Sequence, residues 1–394
     1  MRKNNQILFI TNFSSINTTY ITHELLINHL AKKFNKLVLI NAEKLILKEK
    51  KKYFFSDKVL KRSKKILFKN INFERFCKLT QNKNNIAILN LNLDPNNFKI
   101  YKYLNKNNFK LIMISNIGNF QKFALTDSHK SFLKTLNYIY KKYLFPKILT
   151  IASNIGMVKK IDIKFSSNRN NLKNIEKNIF KNFLYKNNFL LTKKIIIVNS
   201  KVSDLNVIDK SKKSQKYIIH LDQDLTYKHV QEITKFKSDD IDLHYKYLNI
   251  FLKRISKIFN KEIIISIHPN YDQKLISKKL KNYKVVKYKT RELIKQSYLV
   301  TFFESSSIVD AIIMKKKILA LKSSVIGNES IYSKKLKIPS IEFFDKNQIS
   351  KKELMTILNK KNLNLENYIK NYHFIDKKNK LGIDKISSEI KKML

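Results

Sequence analysis

Short apolar runs alternate with longer amphipathic segments along the whole chain. In the first half the runs QILFITNF, KLVLINA, IAILNLNL, KLIMISNIG and KILTIASN read as strands, and ITHELLINHLAKKF and SFLKTLNYIYKKYL between them as helices. Near-continuous apolar strands separated by helices predict a parallel sheet covered on both faces. The polar stretch KKIDIKFSSNRNNLKN (159–174) interrupts that pattern, and the run KIIIVNS (194–200) and the charged segment DKSKKSQK (209–216) follow it.

The alternation then restarts. YIIHLDQ (217–223), EIIISIHP (262–269), KVVKY (284–288), LVTFFE (299–304), KKILAL (316–321) and SIEFF (340–344) read as strands. The helices between them are DIDLHYKYLNIFLKRISKIF, YDQKLISKKL, TRELIKQS and SSIVDAIIM, and the last fifty residues read as helical. The expected fold is α/β, two Rossmann-like parallel-sheet domains facing a cleft. Residues 1–205 form the first, 206–370 the second, and 371–394 a terminal helix packing back.

The chain has 394 residues, 43% of them hydrophobic, with 26 Phe and 19 Tyr, which excludes wholesale disorder. Its opening, MRKNNQILFITNF, reads as a first strand rather than a leader, and no window is apolar enough for a membrane-spanning helix. The single Cys77 excludes disulfides, fits a reducing cytoplasm and reads as core filler. The net charge of +50 is almost entirely lysine, with arginine only at positions 2, 62, 75, 169, 254 and 291. Sequence readers of nucleic acid use arginine forks, so no specific nucleic-acid partner is expected. The basic cluster KEKKKYFFSDKVLKRSKKILFK (48–69) reads as a helical hairpin facing water, or as a patch for anionic lipid headgroups.

Ligands of open parallel sheets bind outside the carboxyl ends of the strands. His268 falls at such an end, and Pro269 stops the ladder beside it. Alone, this pair would be a strand terminator. LVTFFE runs straight into Ser305, Ser306 and Ser307, where a helix begins and an anion could be held, although serine there is also an ordinary N-cap. The two features are expected at one edge of one sheet, where they could face a single phosphate. Glu292 lies between them, suited to a ribose or base, or to the charge of a first helical turn. His220, Asp222, Gln223 and Asp224 end another strand. Asp240 and Asp242 form an Asp-x-Asp, read as helix-capping acids rather than metal ligands. With four glycines there is no Gly-rich phosphate loop, and no nucleophile elbow or zinc-peptidase motif occurs.

The order YIIHLDQDL, a long helix, EIIISIHPN, then YKTRELIKQSYLVTFFESSSIVDAIIMKKKILAL resembles the C-terminal half of bacterial surface-carbohydrate glycosyltransferases of the GT-B type. These act in capsule or lipopolysaccharide assembly. The likeness, over about residues 215–325, extends to sialyl- and polysialyltransferases, Kdo transferases and CDP-glycerol glycerophosphotransferases. It implies that His268, Pro269, Ser305, Ser306 and Ser307 contact the phosphate of a CMP-linked donor, with no cofactor and no metal. The sialyltransferases' acidic-acidic-glycine motif is not found, since the pair Asp239–Asp240 is followed by Ile241.

The first half would then bind a glycan or lipid-linked glycan acceptor, with Asn12, Ser14, Ser15, Asn116 and His129 as candidate contacts. Asp127 is the expected general base and Glu24, beside His23, the alternative. The expected activity is transfer of a sugar to a surface glycan, on the inner face of the plasma membrane with peripheral contact to anionic lipid. The alternatives are a CDP-alditol phosphotransferase, a non-enzymatic basic nucleic-acid or membrane-surface binding protein, and an inactive relative lacking a base.

Overall fold

A computed structural model describes residues 7–11, 16–34, 37–42, 45, 66–69, 71–81, 86–91, 95–114, 140, 144–168, 191–209, 215–223, 225, 238–268, 272–325, 331–344, 349–360, 362–373 and 381–394. The chain divides into two units. Unit 1 comprises residues 1–118, 129–204 and 371–394, and unit 2 comprises 119–128 and 205–370.

In unit 1 the strands β1 (Ile7–Thr11), β2 (Leu37–Asn41), β3 (Ile66–Lys69), β4 (Ile86–Asn90), β5 (Lys110–Ile114), β6 (Ile161–Ser166) and β7 (Thr192–Ile197) form one sheet. Its order is β3-β2-β1-β4-β5-β6-β7 and every pairing is parallel. Successive side chains of a strand point to opposite faces, so such strands must be apolar throughout. Ile7 and Phe9 enter one core with Leu26, Ile27 and Leu30 of α1 (Ile16–Lys33) and Ile383, Ile386 and Ile390 of α13 (Gly382–Met393). Leu8 and Ile10 enter the other, with residues of α2 (Phe73–Thr80), α3 (Pro95–Lys106) and α4 (Phe145–Asn154).

The C-terminal helix is seated by a buried carboxylate. Asp204, in α5 (Lys201–Ile208), accepts the amide protons of Gly382 at 2.8 Å and Ile383 at 3.0 Å. These are orphan donors at the start of α13. Burial raises the Asp204 pKa and these two bonds pull it back. A Cβ on Gly382 would stand 2.7 Å from the Asn199 carbonyl oxygen, so the backbones can approach this closely only at glycine.

In unit 2 the strands are β8 (Tyr217–Leu221), β9 (Ile263–Ser266), β10 (Lys284–Val286), β11 (Ser297–Phe302), β12 (Lys317–Lys322) and β13 (Ser340–Glu342), in the order β10-β9-β8-β11-β12-β13. All are parallel. The long α6 (Ser238–Phe259) buries Ile241, Tyr245, Leu248, Leu252 and Ile255, a stripe at steps of four and three, against one face. Among the other helices are α7 (Gln273–Lys279), α8 (Thr290–Gln296), α9 (Ile308–Ile313), α10 (Ile331–Leu336), α11 (Lys351–Asn359) and α12 (Leu363–Tyr368).

Three stretches differ from the reading of the sequence. KILTIASN is not a strand but most of α4, which Pro146 opens near its first position. Within the polar stretch 159–174, IDIKFS is strand β6. Its Asp162 accepts from the Leu111 amide at 2.9 Å and from Lys193 at 2.8 Å, which lets a carboxylate sit in the sheet. ILFK, at the end of the basic cluster 48–69, forms the edge strand β3; residues 48–65 lie outside the described residues. Cys77 is half-buried on α2 beside the fully buried Phe76. Among the described residues no helix is long and apolar enough to cross a membrane.

Candidate functional site

A sheet ordered this way has a point where connections leave two neighbouring strands in opposite directions, opening a crevice beyond their carboxyl ends. In unit 2 that point lies between β8, which leads outward to β9 and β10, and β11, which leads to β12 and β13. Leu221 pairs with both Ser266 and Phe302. Gln223, His268 and Glu304 therefore each stand two residues beyond one common level, with Ser305, Ser306 and Ser307 just after. The register thus brings Asp222, Gln223, His268 and the serine run to a single sheet edge.

The floor beneath this edge is a buried polar cluster. His220 Nδ1 lies 3.0 Å from Thr301 Oγ1, bridging β8 and β11. His220 Nε2 is 3.7 Å from an Asp222 oxygen, and the other Asp222 oxygen accepts from the Tyr245 hydroxyl at 3.2 Å. His244 Nδ1 is 3.3 Å from Ser323 Oγ, with its ring edge-on to Tyr245, Phe303 and Phe343. Burial lowers the His244 pKa to about 4; Asp222 opposes the shift and His220 adds to it. His244 is thus neutral at neutral pH. It was missed in the sequence, although it sits one position from Tyr245 on the buried stripe of α6.

His268 itself is exposed. Loss of water around the ring, then the Lys287 ammonium, lower its pKa. A neutral imidazole keeps one N–H to donate to an oxyanion. Ser305 Oγ accepts from the Ser307 amide at 3.3 Å, closing the turn, while Ser307, the N-cap of α9, makes no side-chain cap bond. The amides of Ile308, Val309 and Asp310 turn back onto the carbonyls of Ser305, Ser306 and Ser307. With α9 only six residues long, the edge offers hydroxyls more than a long helix dipole.

Helix α8 starts at the same edge, where Thr290 Oγ1 lies 2.7 Å from Ser266 Oγ. Glu292 is exposed in its first turn. Its charge is also felt by Tyr217, which burial, then Glu262 and then Glu292 push up to about 12. Tyr217 opens β8 at the opposite edge, so the Glu292 field is not confined to the carboxyl side. Arg291 pairs with Asp310 and locks α8 to α9. Of the Asp-x-Asp pair, Asp240 lies in the first turn of α6 and Asp242 is ion-paired with Lys279 of α7.

In unit 1 the corresponding point lies between β1 and β4. Thr11 pairs in register with Asn41 and Asn90, forming a buried polar row at the carboxyl edge. Asn90 Nδ2 donates to Thr11 Oγ1 at 3.4 Å. The signal was present in ILFIT, LVLIN and IAILN, three apolar runs each ending on a polar residue. Glu24 is exposed on α1. Asn12, Ser14, Ser15, Asn116, Asp127, His129, Asp224 and Pro269, and the side chain of His23, lie outside the described residues.

Two doubly wound parallel sheets in one chain define an α/β protein of the GT-B class. No protein-family model and no curated protein matches the sequence. Among solved structures, the chain is similar to a variant of the wall teichoic acid polymerase TagF, with TM-score 0.53 and 14% identity over 99% of this chain and 88% of that one. Others are the UDP-GlcNAc 2-epimerase of Methanocaldococcus jannaschii (0.47, 13%, 98% and 99%) and a glycosyltransferase from Rickettsia africae ESF-5 (0.47, 12%, 100% and 99%). At such identities the likeness speaks to fold, and the TagF structure carries it.

Proposed function

We propose that the protein is a glycosyltransferase moving a sugar from a CMP-linked donor to a cell-surface polysaccharide or lipopolysaccharide acceptor. The observation behind this reading is the common level of Gln223, His268 and Glu304 beyond the switch point of unit 2, with Ser305, Ser306 and Ser307 just after. In this reading His268 and the serine hydroxyls hold the donor phosphate next to Pro269. Glu292 takes the ribose or base, and Asp222 and Gln223 line the same edge. The first half of the chain takes the acceptor, with Asp127 as general base, Glu24 as the alternative, and Asn12 and Ser14 as contacts. In this reading the phosphate partners are an imidazole and hydroxyls, and transfer proceeds without a metal. Acceptors of this kind are built at a membrane, and the reading puts the protein at the periphery of its cytoplasmic face.

A second reading is transfer of an alditol phosphate from a CDP-linked donor through the same phosphate site. It is supported by the likeness to TagF, also seen in a structure of that polymerase soaked with CDPG (TM-score 0.52, 13% identity). A thermal-shift series with CMP, CDP, UDP and GDP tests the common core. Ligand at a hundred times its dissociation constant stabilises the native state by about 2.7 kcal/mol. Stabilisation by the cytidine nucleotides supports the site, and a response to UDP or GDP alone overturns the donor class. Turnover of a CMP-sugar or of a CDP-alditol then separates the two readings.

A further inference from the structure

Among the described residues five other than glycine have a left-handed backbone, and four of them are explained by their places. Asn108, Asn260, Lys315 and Lys337 lie one or two residues past the ends of α3, α6, α9 and α10, where helices often close with such a residue. Tyr288 (φ 64°) ends no helix: it stands between β10 and the start of α8. A bulky aromatic residue is poorly suited to that conformation, and strain of this kind persists where function uses it. The Tyr288 side chain is 69% exposed, and among the described residues it makes no hydrogen bond and no ring contact. A strained residue with its ring in solvent adds nothing to the core.

The sheet register puts this residue in the row beyond the switch point of unit 2. Val286 pairs with Ser266, which pairs with Leu221, so Tyr288 stands two residues beyond the same level as Gln223, His268 and Glu304 do. The Ile267 amide donates to the Val286 carbonyl at 3.1 Å, carrying the pairing of β9 and β10 one step further toward His268. Neighbouring strands lie about 4.8 Å apart, so Tyr288 is the next strand end after His268, on the side away from the serine run. A nucleotide whose phosphate meets His268 and the serines carries its base to one side, and a flat ring one strand further on suits a flat heterocycle. We propose that Tyr288 is the stacking platform for the nucleobase of the donor, at the outer end of the row. This rests on the phosphate site proposed for unit 2 and adds the residue that fixes the base, whose polar edge is left to Glu292. Stacking accepts any base, because each has a π face.

The test is calorimetric titration of the full chain with CMP, with UMP and GMP alongside, and with ribose 5-phosphate, which lacks a base. Tyr288→Ala should weaken binding of whichever nucleotide the natural chain takes by about ten-fold or more, as expected when a base loses its aromatic partner. The same variant should bind ribose 5-phosphate as the natural chain does. Tyr288→Phe keeps the ring and should bind nucleotide within about two-fold of the natural chain. Tyr288→Gly relieves the backbone, so it should hold or raise the melting temperature while binding nucleotide as weakly as Tyr288→Ala. Equal nucleotide binding by the natural chain and Tyr288→Ala overturns the stacking role alone, and so does an equal loss of ribose 5-phosphate binding in that variant. If no nucleotide binds the natural chain, the phosphate site fails and the stacking role falls with it.

Discussion

His220 and Thr301 meet at 3.0 Å across β8 and β11, one residue before both strands reach their last pair. The tie is fully buried, and it fixes the two strands whose extensions carry Asp222 and Ser305–Ser307. Thr301→Val keeps the shape and removes the hydroxyl, leaving a buried imidazole nitrogen short of a partner. We expect a loss of about 1–3 kcal/mol in urea unfolding. A change below a few tenths would show that the tie contributes nothing.

Gly382→Ala tests how the C-terminal helix is seated. The added methyl meets backbone atoms of Asn199 at 2.7 and 2.9 Å, which cannot swing aside as a side-chain end would. Overpacking of this kind costs about 1–3 kcal/mol. Amide exchange should quicken in α13 first, with Gly382 and Ile383 losing protection; a uniform change over the chain would contradict local seating by Asp204.

Mild acid should destabilise both units. His244 in unit 2 and His373 in unit 1 are each held at about 4 from an ordinary 6.5, chiefly by burial. The unfolded chain then binds protons that the native state refuses, so stability is full above 6.5 and falls as pH drops toward 4. Each histidine should account for about 2 kcal/mol lost between pH 7 and pH 5. His244→Phe, neutral at every pH, should flatten the profile of urea unfolding by that share. An unchanged slope would contradict a buried neutral His244.

The strands of unit 2 were legible because they are buried on both faces and read as apolar runs. The polar strand β6 was not legible, because Asp162 becomes tolerable only when Leu111 and Lys193, distant in sequence, reach it. In α4 the run ILTIA is apolar on two helical faces at once, which imitates a strand. Of the candidate site, His268 and the serine run were legible as strand ends. The row of Thr11, Asn41 and Asn90 requires a register, and so does the bridge from His220 to Thr301, because neither joins residues near in sequence.

Ser307 should matter more than Ser305 for a bound phosphate. The Ser305 hydroxyl already accepts from the Ser307 amide, whereas the Ser307 side chain makes no cap bond. Ser307→Ala should weaken nucleotide binding with little change in melting temperature, and Ser305→Ala should lower the melting temperature, each read by calorimetric titration and thermal scan. The reverse pattern would reassign the two hydroxyls.

The most direct test of the phosphate site is protection of unit 2 from proteolysis by CMP and CDP, compared between the natural chain and His268→Ala. His268 is exposed, so removing its ring should leave the fold intact. The account predicts slower cleavage of the natural chain with either nucleotide and no such protection in the variant. Equal protection of the two proteins would contradict it.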